Sequence, residues 1–372
     1  MSTKAKISNV QEQNGTMTFT LSNINVSYAN GLRRVILSEI PVIAIESYPY
    51  EKNNVKIFTN KSRLNNELIK QRLSCIPIHI DALQDFPYDE YVLEVNKSND
   101  SNVIIYVTSE DFQIKNIKTG KYLTRGEVQK IFPPDLMTGD YIDLLRLRPK
   151  IDSNMDKEQL HLEAKFTISN AKNDGTFNVV STCSYGNTLD QVKIKDAWEV
   201  KEAELKLKYG KEEIEIMKKD WMILDAKRIY EEDSFDFIVE TIGIYDNFKI
   251  VEIATNLLIK KLFNSLKLIK ENMDFIQEIE DTMENSYSIK LENEDYTIGK
   301  IIEFNFYDKY FINSKNLNYV SFLKKHPHDN FSIIKLSYKN QITKDDILLN
   351  YEECINSSIL LINSIKEYFT SK

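Results

Sequence analysis

Two stretches of this chain carry apolar residues at helical spacing over about five turns each. In the first, from about Lys249 to Ile269, Ile250, Ile253, Ala254, Leu257, Leu258, Leu262 and Leu266 share one stripe. In the second, near the C-terminus, Ile347, Leu348, Tyr351, Cys354, Ile355, Leu361, Ile362 and Ile365 do the same. At ~25 cal/mol per Å² of apolar area, leaving two such stripes wet costs several kcal/mol. Each stripe needs cover, and two facing stripes can supply it for each other.

The segments before the stripes also match. Met17–Leu21 alternates as a strand, and a short helix runs from Ser27, its expected N-cap, through Leu37. Ala29, Leu32, Val35 and Ile36 form its apolar face, and Pro41 ends it. Far downstream, Phe235–Thr241 reads as a strand leading into the first stripe. Tyr287–Leu291 alternates in the same way, Asp295 caps a helix starting at Tyr296, and Ser332–Tyr338 is a strand before the second stripe. Strand, short helix, strand and long helix therefore occur twice, once split and once continuous. The pattern leaves two arrangements open: paired half-units, or two unrelated α+β lobes.

Between the split parts, residues 48–187 hold short alternating runs, such as Tyr91–Val95, Val103–Val107 and Leu160–Phe166, and one brief helix at Asn66–Leu73. Residues 196–228 are charged and partly helical, with Gly210 as an interruption, and Trp198 and Trp221 there read as packing residues. Residues 271–285 are acidic, show no strand signal and read as a connector.

The net charge of −8 argues against non-specific nucleic-acid binding, which needs a basic face. Cys75, Cys183 and Cys354 lie far apart and fit a reducing compartment, with no disulfide framework and no metal-ligand spacing. Met1–Gly15 lacks the apolar core of a signal peptide, and no apolar run approaches the ~18 residues of a membrane span. The segment His326-Pro327-His328-Asp329 reads as a turn rather than a metal site.

Arginine is scarce, eight against forty lysines, yet Arg33 and Arg34 are adjacent on the short first helix. They point about 100° apart, so both cannot hide on the apolar face. They either grip carboxylates and carbonyls bidentately or form a solvated face. Gly31 costs ~1 kcal/mol against alanine inside a helix and points to close approach of another backbone.

Asn30-Gly31-Leu32-Arg33-Arg34-Val35-Ile36-Leu37 followed by Glu39-Ile40-Pro41 resembles the signature of the RNA polymerase alpha family. Many members have Ala or Ser where Gly31 stands. The likeness continues in Glu67–Ile78, Val107–Phe112, Ile142–Pro149 and Ser234–Gly243. The C-terminal part resembles the family's small L-type partner, through Glu294–Ile302 and His326-Pro327. Two partners on one polypeptide is similar to the fused assembly subunit of some large cytoplasmic DNA viruses. Residues 196–228 have no match in the family.

The resemblance implies an α+β fold in which two dimerisation half-domains, 1–47 with 188–270 and 286–372, pair as an intramolecular pseudo-dimer. Residues 48–187 would be an inserted strand-rich domain and 271–285 a linker. Pairing would run through Leu32, Ile36, Ile253, Leu257, Leu258, Ile298, Ile302, Tyr351, Ile355 and Ile362. It implies a non-catalytic assembly subunit of a DNA-directed RNA polymerase, cytoplasmic (in a viral factory or virion if viral), without cofactor or metal, membrane contact or homodimer. Its partners would be the largest and second-largest subunits, reached in part through Arg33, Arg34 and Arg72, and small subunits; DNA would be met only through the complex. The zinc loop of eukaryotic members does not carry over, because no cysteine lies between Ile80 and Val92. Two other readings are an acidic stand-alone adaptor and a carboxylate-dependent hydrolase. The latter needs a clustered acid pair with a basic or metal partner, which the sequence does not display.

Overall fold

Asn14 and Gly15 both have positive φ, 50° and 77°, the geometry of a two-residue hairpin turn. They join β1 (Lys6–Gln13) to β2 (Thr16–Ser22) in antiparallel register from Lys6↔Ser22 to Gln13↔Thr16. The polar N-terminus is thus a strand, and its Asn-Gly pair is the sequence signal for it. The computed structural model describes residues 4–82, 87–150, 156–280 and 283–370.

From β2 the chain enters α1 (Val26–Ser38), then β3 (Val42–Ala44), β4 (Val55–Asn60) and α2 (Asn66–Ser74). There follow β5 (Tyr91–Ser98), β6 (Ile105–Thr108), β7 (Gln113–Asn116), α3 (Arg125–Ile131), β8 (Asp143–Leu147), β9 (Gln159–Lys165) and β10 (Thr167–Ser169). The strand β11 (Val180–Leu189) leads into α4 (Gln191–Leu205) and α5 (Lys211–Ile223), and β12 (Tyr230–Thr241) into the long α6 (Asn247–Glu271). The last part comprises β13 (Ile276–Glu278), β14 (Ser286–Glu292), α7 (Tyr296–Phe306), β15 (Leu317–Leu323), β16 (Phe331–Tyr338) and α8 (Lys344–Thr370).

These elements form two compact units. One comprises Met1–Val35, Thr182–Glu240 and Asn247–Lys372, the other Ile36–Ser181 and Thr241–Asp246. The first unit holds two four-stranded sheets, ordered β1-β2-β12-β11 and β13-β14-β16-β15. The two orders match element for element, and the central pairs are antiparallel in both: β2 with β12 (Thr16↔Glu240 to Ser22↔Ser234) and β14 with β16 (Ser286↔Ser337 to Glu292↔Phe331). Each sheet buries one face against helices. Phe19 of β2 stacks on Phe237 of β12 at 5.0 Å and meets Phe369 of α8 edge-on at 5.3 Å. The long helices α6 and α8 pack along each other, and α7 packs on both.

Besides β1 and β11, two elements here escape the sequence pattern. The acidic connector 271–285 carries β13, paired with β14 from Ile276↔Ile289 to Glu278↔Tyr287. A three-residue edge strand with two exposed side chains has too little apolar content to register; residues 281 and 282 of that connector lie outside the described residues. Strand β15 pairs with β16 and completes the second sheet after a π-helical turn at Tyr307–Asn313.

Helices α4 and α5 form a hairpin around a small core of Ile194, Trp198, Ile214, Trp221 and Ala226. The indoles lie 5.4 Å apart, so both tryptophans pack. Gly210 starts α5, and Glu213 accepts its amide proton at 3.0 Å.

The second unit contains a sheet ordered β4-β9-β5-β7 and the strand pairs β6–β8 and β3–β10. Its core draws on Ile69 and Leu73 of α2, Leu93 and Val95 of β5 and Leu160 and Leu162 of β9. Asn65 caps α2, and Thr124 with Glu127 forms a capping box on α3.

Candidate functional site

Helix α1 begins two residues earlier than its pattern suggests. Asn25 Oδ1 accepts the Ser27 amide at 3.0 Å, so the cap is Asn25 and Ser27 lies inside the helix. Ala29, Leu32, Val35 and Ile36 are all buried. A Cβ at Gly31 would stand 3.2 Å from the Thr297 carbonyl oxygen and 3.0 Å from Ile301 Cδ1. The glycine therefore marks where α1 crosses α7 at backbone distance, as its presence in a helix suggested.

Helical geometry sends the two arginines to different surfaces. Arg34 donates from Nε to Thr297 Oγ1 at 3.1 Å and from Nη2 to Asp295 Oδ2 at 3.3 Å. Asp295 is itself the N-cap of α7, accepting the Thr297 amide at 2.8 Å. Arg34 thus ties α1 to the start of α7. Arg33 donates from Nε and Nη2 to Asn30 Oδ1, at 3.1 and 2.9 Å, one turn back on its own helix. Its charge acts on Cys183 and Tyr185 of β11. Burial pushes the Cys183 thiol up to about 12, with the Arg33 guanidinium opposing the rise. Asn30 also lines an open recess of about 340 Å³ with Val26, Tyr185, Phe304 and Tyr307. Val26 and Tyr307 are about half exposed there. Arg72 belongs to the other unit, where Nη2 on α2 donates to the Asp143 carbonyl at 3.0 Å.

The helical seam is apolar with polar ties. Leu32, Ile253, Leu258, Ile298, Ile302, Tyr351, Ile355 and Ile362 are buried, and Leu257 is half-buried at the margin of its stripe. Ser265 Oγ of α6 donates to the Leu262 carbonyl, so the Tyr351 hydroxyl of α8, 3.0 Å away, donates to Ser265. Lys270 of α6 meets Glu352 of α8 at 2.6 Å, and Lys261 meets Glu294, just before α7, at 3.2 Å. In the interior, Tyr28 of α1 donates to Ser358 Oγ of α8 at 3.1 Å. The Asn305 amide of α7 reaches Tyr28 Oη at 2.7 Å, Ser358 Oγ at 3.0 Å and the Ile301 carbonyl at 2.8 Å. Desolvation raises the Tyr28 pKa above its ordinary value. None of these polar ties was visible in the sequence, because Tyr28, Asn305 and Ser358 are interior on three helices far apart along the chain.

His326 Nδ1 accepts the His328 amide, and Asp329 accepts the His326 amide, so the His-Pro-His-Asp segment is a bonded turn. Among the described residues no group of three or more His, Cys, Asp and Glu is arranged to hold a metal ion. Nor is any described helix long and apolar enough to cross a membrane.

Residues 18–262 match the family model described as the RNA polymerase Rpb3/Rpb11 dimerisation domain. The chain is 25% identical over 272 residues to DNA-directed RNA polymerase subunit Rpo3 of Pyrococcus horikoshii, covering 69% of this chain and 94% of that protein. It is 38% identical over 76 residues to DNA-directed RNA polymerase II subunit rpb3 of Dictyostelium discoideum, covering 20% of this chain and 23% of that one. A conjugation stage-specific protein of Tetrahymena thermophila is 34% identical over 119 residues, covering 29% of this chain and 36% of the relative.

Proposed function

The chain belongs to the RNA polymerase Rpb3/Rpb11 dimerisation family, and from that premise we propose that it is the non-catalytic assembly platform of a DNA-directed RNA polymerase. Two half-folds of one polypeptide pair as an intramolecular pseudo-dimer and together carry the two large catalytic subunits. On this reading 1–47 with 188–270 is one half, 286–372 the other, 48–187 an insertion and 271–285 the join. The observation that carries it is the repeated sheet order, β1-β2-β12-β11 and β13-β14-β16-β15, with α6 lying along α8. Fusion holds the halves at high effective concentration and fixes their ratio at one to one.

The large-subunit contact centres on Arg33. Its guanidinium offers a bidentate grip on a partner carboxylate, and the recess beside Asn30 takes an apolar side chain of the same partner. Arg72 adds a second cationic contact. Arg34 serves the seam, through Asp295. The test is co-expression with both large subunits. The Arg33→Ala, Arg72→Ala double variant is expected to fold with an unchanged melting curve and to lose co-purification with the large subunits. Full assembly of that variant would refute the role given to these arginines.

A further inference from the structure

The two half-folds repeat each other through their connecting turns, so every contact across the seam has a counterpart that two like halves would make. Strand β2 reaches α1 through residues 23–25, and β14 reaches α7 through residues 293–295. Asn23 and Asn293 both take left-handed backbone, φ 60° and 56°. Strand β12 reaches α6 through residues 242–246, and β16 reaches α8 through residues 339–343. This register makes Asn25 the counterpart of Asp295, Ser27 of Thr297 and Val35 of Asn305 in the short helices. In the long helices it makes Lys261 the counterpart of Ser358, and Ser265 of Ile362.

Consider a second N-terminal half in place of the C-terminal one. Arg34 would meet Asn25 and Ser27 where it now meets Asp295 and Thr297, and its ion pair would be gone. The Tyr28 hydroxyl would meet Val35 and Lys261 in place of Asn305 and Ser358, which strands a buried hydroxyl beside an ammonium. Lys261 would meet Ile24, the counterpart of Glu294. Two C-terminal halves fare no better. Asp295 would meet Phe304, and Tyr351 would meet Ile362 where it now meets the smaller Ser265, overfilling a closed seam.

We propose that Arg34–Asp295, Lys261–Glu294 and the Tyr28–Asn305–Ser358 network form a pairing code that accepts an unlike half-fold and rejects a like one. Each element both attracts the correct half and penalises the wrong one. The code takes from the platform reading only the pairing of half-folds.

Charge exchange tests it in the full chain. Arg34→Asp sets two carboxylates against each other across the seam, and Asp295→Arg sets two guanidinium groups face to face there. Either variant alone is expected to melt several degrees below the parent, and the Arg34→Asp, Asp295→Arg double variant is expected to recover the part due to charge repulsion as a monomer, the α7 cap that Asp295 supplies staying lost. When the two single variants are unfolded and refolded together, exchange of halves restores both opposite-charge pairs. A one-to-one complex of twice the chain mass is then expected, found neither on refolding each variant alone nor with the parent. Refolding of the mixture to the same monomers as the separate variants would overturn the code. So would additive losses in the double variant. Should the reversals fail to fold, Arg34→Gln and Asp295→Asn still report coupling, and additivity in that pair would overturn the code equally. None of these readouts involves the large subunits, so failure here with intact co-purification would remove the code and leave the platform reading standing.

Discussion

Gly31 and Gly299 sit in the equivalent short helices α1 and α7, yet an added methyl group meets different neighbours at the two. At Gly299 a Cβ would fall 2.0 to 2.5 Å from three atoms of the Phe322 ring on β15. Alanine gains ~1 kcal/mol of helix propensity over glycine at an interior position. Against that, the ring must be driven out of a site where it is 7% exposed and lies edge-on to Tyr296 at 5.0 Å. Overpacking of this kind costs ~1–3 kcal/mol, with the upper end expected for an overlap this deep. Gly299→Ala is therefore expected to destabilise by about 1–2 kcal/mol net, or ~2–8 °C in melting temperature at 2–4 °C per kcal/mol. At Gly31 the nearest atom is the end of the flexible Ile301 side chain at 3.0 Å, with the Thr297 carbonyl at 3.2 Å, so a shift of a few tenths of an ångström suffices. Gly31→Ala is expected to fall within about 0.5 kcal/mol of the parent, propensity and crowding nearly offsetting. Denaturant and thermal melts of the full chain separate the two. Gly299→Ala combined with Phe322→Leu should recover part of the loss, because the shorter side chain vacates the ring position. A Gly299→Ala variant as stable as the parent would refute the reasoning that steric overlap outweighs propensity here.

Tyr28→Phe removes a hydroxyl but leaves Asn305 bonded to Ser358 and the Ile301 carbonyl, so a loss of about 1 kcal/mol is expected in denaturant melts. Asn305→Leu strips the amide from both Tyr28 and Ser358 and should cost about 2–3 kcal/mol; equal losses for the two would argue against the network. The thiols should separate by burial: Cys75 is exposed, whereas burial raises the pKa of Cys183 to about 12 and that of Cys354 further still. A raised pKa keeps both as unreactive thiols at pH 8, so mass analysis after brief alkylation should find one label, on Cys75, and three after unfolding; early label on Cys354 would mean that α8 opens readily.

What the sequence made legible was periodic. The stripes of α6 and α8 could be read because burial on one face repeats over many turns: Ile250, Ile253, Ala254, Leu258, Leu262 and Leu266 on the first and Ile347, Tyr351, Cys354, Ile355, Ile362 and Ile365 on the second are all buried. Strand β12 was visible from Phe235 onward, where alternation is strict, but not over Tyr230–Asp233, where all four side chains are exposed and no period exists. Strand β13 was hidden for the same reason, and β1 was readable only through its turn. The polar seam was illegible for a different reason. Whether a tyrosine, an asparagine and a serine 277 and 53 positions apart share hydrogen bonds depends on where three helices cross, and no local pattern encodes a crossing. The arginine pair shows the limit most clearly: helix geometry gave their divergence, but only the position of Asp295 decides which one bonds to α7.

That divergence bears on how one short helix can serve two surfaces. Arg34 is fixed to the cap of α7, and Gly31 brings α1 onto the same helix at backbone distance. The orientation of α1 about its axis is therefore tied to α7. Arg33, the next residue along, inherits that orientation, and its direction is fixed only when the seam is closed. The packing of α1 on α7 thus presents Arg33 and the Asn30 recess in one arrangement. On the platform reading, pairing of the halves comes before capture of a large partner, and a polypeptide that joins both halves turns this first step from a bimolecular encounter into an intramolecular one. Loosening the seam at Asp295 should for that reason weaken large-partner binding without touching any residue at the outward surface, and the loss should track the fraction of chains with the seam open.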